Sequence, residues 1–166
     1  MSLYAQLHNR DNLLAAWRAV RAKGAAGGID GVTLSDFDAR LDENMQALQD
    51  ELVAGRFVPQ AYQEIKRPKG DGEYRTLGLM SVRDKIVQQA AREILEPILD
   101  RLFLDVSYGY RRNKGTAKAI GRVHHLIVNE KREWLTTCDI ENYFDTINHD
   151  RLLAMLGKRM DDAKSN

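Results

Sequence analysis

Several residue types are scarce in this sequence, and each scarcity excludes a class of protein. The single cysteine, Cys138, excludes an internal disulfide framework and fits a reducing compartment, so we expect a cytoplasmic protein. No apolar run approaches the roughly 20 residues that a membrane-spanning helix needs, so we expect no membrane partner. The first residues, MSLYAQLHNRDN, lack the basic-then-apolar order of a secretory signal. With 166 residues, the chain has the size of one domain or of a compact piece of a larger protein.

An excess of charge of either sign is also missing, because 25 Lys and Arg nearly cancel 24 Asp and Glu. The two signs are nevertheless separated along the sequence. Residues 34–51 carry six acids against one arginine, whereas residues 111–122 carry five cations and no acid. A local basic stretch can hold phosphate on a protein that is nearly neutral overall. Net charge therefore neither supports nor excludes a nucleic-acid partner.

Apolar periodicity predicts two helices in the first third of the chain. The first covers about residues 11–23 and presents one apolar stripe. The second begins near Ser35, where Ser35 and Asp38 have the spacing of a capping box, and ends at Gly55.

The middle of the chain changes from helical to strand-like patterning. Two alternating segments on either side of PKGDGE predict a β-hairpin. Ser81 and Asp84 again have capping-box spacing and open a helix that Pro97 is expected to end or kink. Thr116 is expected to cap another helix.

The C-terminal part predicts one more strand and one more helix. Residues 134–140 are short, β-branched and aromatic, so we expect a strand that ends in Asp139 and Ile140. Asn148 is expected to cap the last helix. The predicted fold class is therefore α+β, rich in helices, with a hairpin and a separate strand.

Asp139 is the first candidate for chemistry. Two-metal nucleotidyl transfer needs anionic oxygen ligands on a rigid element, and a carboxylate at a strand end suits hard Mg²⁺ ions. The alternative is that Asp139 only ends a strand, since one carboxylate is not a metal site.

The predicted hairpin is the second candidate. It carries Lys66, Arg67, Lys69 and Arg75, and cations at a turn can hold a triphosphate, arginine best because of its two-pronged donors. The alternative is an ordinary solvated hairpin.

A third candidate is the segment YGYRRNKGTAK. Tyr108 and Tyr110 interleave with Arg111, Arg112 and Lys114, which suits a nucleic-acid strand because aromatics stack on bases and cations hold phosphates. The alternative is that the two tyrosines fill gaps in a core.

Four segments, taken in order, resemble motifs of the reverse transcriptases of group II introns and their bacterial relatives. GGIDGVT resembles the N-terminal extension motif of that family, and ELVAGRFVPQAYQEIKRPKGDGEYRTLGLMSVRDKIVQQAAREILEPIL resembles its fingers block. SYGYRRNKGTAKAI resembles the next block, with an arginine in place of the family's usual proline, and CDIENYFDTINHDRLL resembles the first palm motif. The resemblance covers about residues 27–157.

The resemblance implies roles for residues of the palm motif. Asp139 would be the first metal-binding carboxylate, with the Ile140 carbonyl as an auxiliary ligand. Phe144 would exclude a 2′-hydroxyl and so favour deoxynucleotides. Mg²⁺ is the expected cofactor, with an incomplete site, because the second palm motif, Tyr-x-Asp-Asp, does not occur in these 166 residues.

In the fingers, the resemblance assigns the incoming triphosphate to Arg75, with Arg67 or Lys69 in the family's lysine role, and it places Tyr110 at the nucleotide. Nucleic-acid contacts are expected from Arg111, Arg112, Lys114 and Gln88.

The implied fold is a partial right-hand polymerase, with fingers in residues 1–130 and the first strand of a palm sheet in residues 131–166. The implied function is a fragment of an RNA-directed DNA polymerase that contacts an RNA template, a DNA primer and a dNTP. Without Tyr-x-Asp-Asp, we expect no polymerisation by this chain alone. An unpaired palm edge suggests self-association. The alternatives are a non-catalytic RNA-binding module of a maturase-like protein and a scaffold that binds neither RNA nor nucleotide.

Overall fold

A computed structural model describes residues 1–24, 27–70 and 72–160, and for Lys69, Glu73 and Arg75 it describes the backbone only. These residues form α-helices and a two-stranded antiparallel sheet, which confirms a mixed, helix-rich fold. The elements are α1 (Leu3–Leu7), α2 (Arg10–Ala22), α3 (Leu34–Ala39), α4 (Leu41–Val53), β1 (Gln63–Gly70), β2 (Glu73–Leu79), α5 (Val82–Asp100), α6 (Thr116–Val128), a short 3₁₀ helix (Phe144–Thr146) and α7 (His149–Gly157).

The chain divides into two compact units, Met1–Pro97 and Ile98–Asn166. The first unit contains an apolar core that α2, α3, α4 and α5 share. Its fully or almost fully buried side chains are Leu13, Ala16, Trp17, Val20, Phe37, Met45, Leu48, Leu52, Val82, Ile86 and Ala90. The division does not test the predicted fingers and palm boundaries, which stay a prediction.

Helix α2 confirms the first predicted helix. Its N-cap is Asn9, whose side chain accepts hydrogen bonds from the backbone N–H groups of Asp11 and Asn12. The predicted apolar stripe faces the core through Leu13 and Trp17. The five-residue helix α1, which precedes it, was not predicted because it is too short to show a period.

The prediction of one helix from Ser35 to Gly55 is wrong, because two helices occupy this segment. The capping box lies two residues earlier, where Thr33 Oγ1 accepts from the Asp36 N–H at 3.1 Å and Asp36 Oδ2 accepts from the Thr33 N–H at 2.9 Å. Arg40 interrupts the helix with φ −128° and ψ 42°. The apolar spacing continues across this break, so periodicity does not reveal it.

The hairpin is confirmed. Strands β1 and β2 pair from Gln63 opposite Leu79 to Arg67 opposite Arg75, and the register shifts by a bulge after Pro68. The reversal uses Gly72, whose φ of 78° a residue with a side chain rarely adopts.

Helix α5 confirms the start at Ser81, whose Oγ accepts from the Asp84 N–H at 3.2 Å. Pro97 does not end the helix, since α5 continues through Pro97 to Asp100, and the expected kink at Pro97 stays a prediction. A proline this close to the C-terminus removes one backbone hydrogen bond, and few helical residues follow it.

In the second unit, Asn148 caps α7 as predicted, because its side chain accepts from the Arg151 N–H at 2.9 Å. Thr116 is the first residue of α6 and its N-cap is Gly115. The strand predicted over residues 134–140 is absent from the described chain. A strand exists only where a second backbone pairs with it, and no partner for this segment lies among the described residues.

No helix in the described part of the chain is long and apolar enough to cross a membrane. The cytoplasmic location stays a prediction.

Candidate nucleotide and metal site

The two arginines predicted to hold a triphosphate occupy paired backbone positions on the hairpin. The Cα atoms of Arg67 and Arg75 are cross-strand partners, and the side chain of Arg67 is exposed. Lys66 is the partner of Thr76, and neighbouring residues of a strand point to opposite faces. The side chains of Lys69 and Arg75 lie outside the described residues, so their predicted contacts with the triphosphate stay predictions.

Asp84 fastens the hairpin to the helices of the first unit. Its side chain is only 4% exposed, and its Oδ2 accepts from the backbone N–H of Gln60 at 3.0 Å. Gln60 leads into β1, and the backbone N–H of Asp84 donates to Oγ of Ser81, which follows β2. Asp84 therefore contacts both ends of the hairpin, one through its carboxylate and the other through its backbone. The sequence indicated Asp84 only as a capping residue, because its bond to Gln60 has no local signal.

Gln88, the predicted template contact, is exposed on α5. Its Nε2 lies 3.0 Å from Met80 Sδ. With Lys23, Lys85, Gln89 and Val20 it lines an open cavity of about 260 Å³. Lys23 Nζ donates to Gln89 Oε1 at 2.8 Å, and burial lowers the pKa of Lys85. Gln88 thus lies beside two lysines, and its contact with a template stays a prediction.

Arg111 is embedded in its own loop. Its Nε donates to Asp100 Oδ1 at 2.6 Å, and its Nη1 donates to the carbonyls of Leu104 at 2.8 Å and Ser107 at 3.0 Å. Its Nη2 donates to the Asp100 carbonyl at 3.2 Å, and the guanidinium lies 5.4 Å from the ring centre of Phe103. These five residues are called the Arg111 cluster below.

The electrostatics of the Arg111 cluster follow from its ion pair. The side chain of Arg111 is 8% exposed and that of Asp100 is 45% exposed. The hydrogen bond between them lowers the pKa of Asp100 and raises the pKa of Arg111. The predicted contact of Arg111 with nucleic acid is not tested, but four of its five N–H donors already bind within the loop.

The other cations of this segment are nearer the solvent. Arg112 is exposed. Lys114 Nζ donates to the Asp105 carbonyl at 3.1 Å and lies 5.5 Å from the ring centre of Tyr108. Lys114 Nζ also lies 3.8 Å from Asp105 Oδ1, so the carboxylate of Asp105 partly balances the local positive charge.

Tyr110 and Phe144, both predicted at the nucleotide, are brought into contact by the fold. Their ring centroids are 6.2 Å apart at an interplanar angle of 81°, an edge-to-face arrangement. Tyr110 is 90% exposed and Phe144 is 68% exposed, so this pair forms a surface rather than a core. The alternative that Tyr110 fills a gap in the core is therefore wrong.

Asp139 is exposed, and its Oδ1 accepts the backbone N–H of Ile140 at 3.0 Å. The donor type fits Mg²⁺, which prefers oxygen ligands. However, the described residues contain no group of three His, Cys, Asp or Glu side chains that could hold a metal ion. The described residues thus do not complete a Mg²⁺ site.

The predicted residues fall into two groups. Arg67, Arg75 and Gln88 belong to the first unit, and the aromatic pair, the Arg111 cluster and Asp139 belong to the second. Residues 67–159, which include all of both groups, match the family described as reverse transcriptase (RNA-dependent DNA polymerase). The chain belongs to this family.

Curated relatives place the chain with the group II intron type of reverse transcriptase. YkfC of Escherichia coli is 34% identical over 154 residues, which are 90% of this chain and 40% of YkfC. The COX1/OXI3 intron 1 protein of Saccharomyces cerevisiae is 30% identical over 161 residues, 97% of this chain and 19% of that protein. The group II intron-encoded protein LtrA of Lactococcus lactis is 27% identical over 164 residues, 98% of this chain and 27% of LtrA.

The chain spans less than half the length of each of these three relatives.

Proposed function

We propose that this chain provides the nucleotide- and template-binding part of an RNA-directed DNA polymerase of the group II intron type. The contact between Tyr110 and Phe144 is the observation that carries the proposal. The family resemblance assigns both residues to the nucleotide, each from a different motif. An exposed pair of aromatic rings suits the sugar and base of a deoxynucleotide, because it offers both a stacking face and a steric limit.

In the proposed function, Arg67, Lys69 and Arg75 hold the triphosphate, and Phe144 excludes the 2′-hydroxyl of a ribonucleotide. Asp139 and the Ile140 carbonyl contribute oxygen ligands toward a divalent cation. Residues 1–130 serve as fingers and residues 131–166 as the start of the palm of a right-hand polymerase.

The nucleic-acid side of the proposal concerns an RNA template and a DNA primer. Gln88, Arg112 and Lys114 are the proposed contacts, supported by the exposure of Gln88 and Arg112 and by the cations around Gln88. Self-association through a palm edge stays a prediction, and the described residues contain no palm strand to provide such an edge.

We further propose that the chain by itself does not polymerise, because its 166 residues contain no Tyr-x-Asp-Asp carboxylates. A non-catalytic RNA-binding module is the second candidate. It is favoured by similarity to nuclear intron maturase 4 of Arabidopsis thaliana, 25% identical over 119 residues, 70% of this chain and 14% of that protein. Template-directed primer extension by the chain, abolished by Asp139→Ala, is the result that contradicts the proposed inactivity.

A nucleotide titration separates the two candidates. Fluorescent N-methylanthraniloyl-dATP is added to the chain, to Arg67→Ala and to the matched control Lys66→Ala, which removes one cation from the neighbouring position on the opposite face of β1. We expect saturable binding that Arg67→Ala weakens about tenfold, as the loss of a charge-assisted hydrogen bond does, while Lys66→Ala changes it little.

The same samples are titrated with a fluorescent RNA. Binding of RNA without any binding of dATP contradicts the polymerase proposal and supports the RNA-binding module. Equal loss of dATP affinity in Arg67→Ala and Lys66→Ala contradicts a specific role for Arg67 and indicates only a general effect of charge. Binding of neither ligand supports the scaffold alternative.

A further inference from the structure

The loop between α5 and α6 is held by the Arg111 cluster rather than by apolar packing. Its apolar side chains Leu102, Phe103 and Leu104 are 50%, 52% and 73% exposed. A loop with so little apolar burial needs another source of order. The guanidinium of Arg111 supplies it, since it joins the last residue of α5 to two carbonyls farther along the loop.

Tyr110 depends on this order because its backbone is in an unusual conformation. Its φ is 57°, in the left-handed region that residues other than glycine and asparagine seldom occupy. Such a conformation persists where the surrounding structure fixes it. Burial of the ring does not fix it, because the ring is 90% exposed. The residue that follows, Arg111, is fixed by its four hydrogen bonds.

We propose that Arg111 and Asp100 are positioning residues that hold Tyr110 in ring contact with Phe144, and that Arg111 does not bind a phosphate. The inference rests on the proposed function, in which these two rings receive the deoxynucleotide. It gives Arg111 a different role from the nucleic-acid contact that the sequence predicts. The guanidinium already donates its hydrogen bonds to neighbouring residues, so Arg111 affects nucleotide binding by fixing the position of Tyr110.

The two roles of Arg111 predict opposite results for two substitutions. A lysine keeps the positive charge and so preserves much of a phosphate contact, but its single ammonium cannot reproduce a planar fork that reaches three residues. Asp100→Asn removes a negative charge and weakens the hold on Arg111. If Arg111 binds a phosphate, that contact should become stronger in Asp100→Asn. If Arg111 and Asp100 position Tyr110, the contact between the Tyr110 and Phe144 rings should become weaker.

The experiment measures the contact between the two rings and the affinity for the nucleotide separately. Proximity of the Tyr110 and Phe144 rings is measured in the nucleotide-free chain as a nuclear Overhauser effect between their ring protons. Affinity is measured by titration with N-methylanthraniloyl-dATP. The variants are Arg111→Lys and Asp100→Asn, and the matched control is Asp105→Asn, which neutralises a carboxylate of the same loop that pairs with Lys114 instead.

We expect Arg111→Lys and Asp100→Asn to lose the ring contact and to bind dATP about tenfold more weakly, the size of effect typical of a lost charged hydrogen bond. Asp105→Asn should retain both. An unchanged circular dichroism spectrum excludes general unfolding, and Asp100→Asn serves as the milder variant if Arg111→Lys fails this check.

Persistence of the ring contact in Asp100→Asn overturns the inference, as does its absence from the unsubstituted chain. Tighter binding of dATP or RNA by Asp100→Asn also overturns it, in favour of a phosphate contact. Failure of the proposed function is a separate result. If the unsubstituted chain binds no dATP, the nucleotide role is lost, while the ring contact still decides whether Arg111 and Asp100 position Tyr110.

Discussion

Different kinds of contact stabilise each of the two units of this chain. In the first unit, side chains such as Leu13, Trp17 and Ile86 are at most 2% exposed and pack into one core. In the second unit, α6 and α7 bury none of their residues, although both helices have a clear apolar side. There the side chain of Arg111, which is paired with Asp100, is 8% exposed.

The difference shows that an amphipathic sequence does not by itself make a core. Helix α6 carries Ile120 and Ile127, yet these side chains are 63% and 48% exposed. Apolar burial stabilises a fold only where a second element covers the first. The first unit should therefore respond most to the loss of apolar volume, and the second to the loss of polar contacts.

The largest expected effect is the removal of Trp17. Trp17→Ala should lower the free energy of unfolding of the first unit by about 3–5 kcal/mol, because the side chain is 2% exposed and leaves a cavity. The matched control is Trp134→Ala in the second unit, where the side chain is 92% exposed and the change should stay within about 0.5 kcal/mol. Urea unfolding followed by circular dichroism measures both, and similar losses for the two variants would contradict the comparison.

A smaller effect is expected at Asp84. Asp84→Ala removes the buried acceptor of the Gln60 N–H and should cost about 1–3 kcal/mol, the range for a hydrogen bond to a charged group. Asp84→Asn retains an oxygen acceptor and should cost less. Amide hydrogen exchange at Gln60 measures this hydrogen bond directly. Equally fast exchange in both variants would show that Asp84 does not stabilise the fold through its hydrogen bond to Gln60.

The position of the helix cap gives the next prediction. Thr33→Ala should cost about 1 kcal/mol, because Thr33 Oγ1 caps α3. Ser35→Ala, at the residue that the sequence wrongly indicated as the cap, should change stability by less than about 0.5 kcal/mol. Urea midpoints of the two variants are compared, and the reverse order would restore the sequence-based assignment.

The smallest effect is a pH dependence that differs between the units. The hydrogen bond that Arg111 donates lowers the pKa of Asp100 below its ordinary value of 3.8. A lowered folded-state pKa means that the contribution to stability is fully present above pH 3.8 and is lost as the pH falls through the folded-state pKa. The Tyr110–Phe144 ring contact should therefore weaken in acid before the core around Trp17 does.

The control for this titration is Asp100→Asn, in which acidification through the same range should produce no further weakening of the ring contact. Loss of the core signal before the ring contact would contradict the expected order. In the first unit, hydrogen bonds from Thr33 also lower the pKa of Asp36. The acid sensitivity of the Asp36 contact can therefore be compared with that of the Asp100 contact in the same titration.

Local signals explain which parts of the fold could be predicted. The stripe of α2, the turn of the hairpin and the cap at Asn148 each depend on residues a few positions apart, and all three were confirmed. The break at Arg40 was missed because the apolar spacing runs through it. The strand over residues 134–140 was wrong because pairing depends on a partner that local composition does not reveal.

The sequence by itself determined the family and the kinds of residue available for chemistry, because motifs depend on identity and spacing along the chain. The tertiary structure alone decided how those residues are used. It put Tyr110 against Phe144, enclosed Arg111 with Asp100, and joined Asp84 to Gln60. The residues in each of these contacts are farther apart along the chain than a helical turn or a tight turn can span. Only the folded backbone therefore brings them into contact.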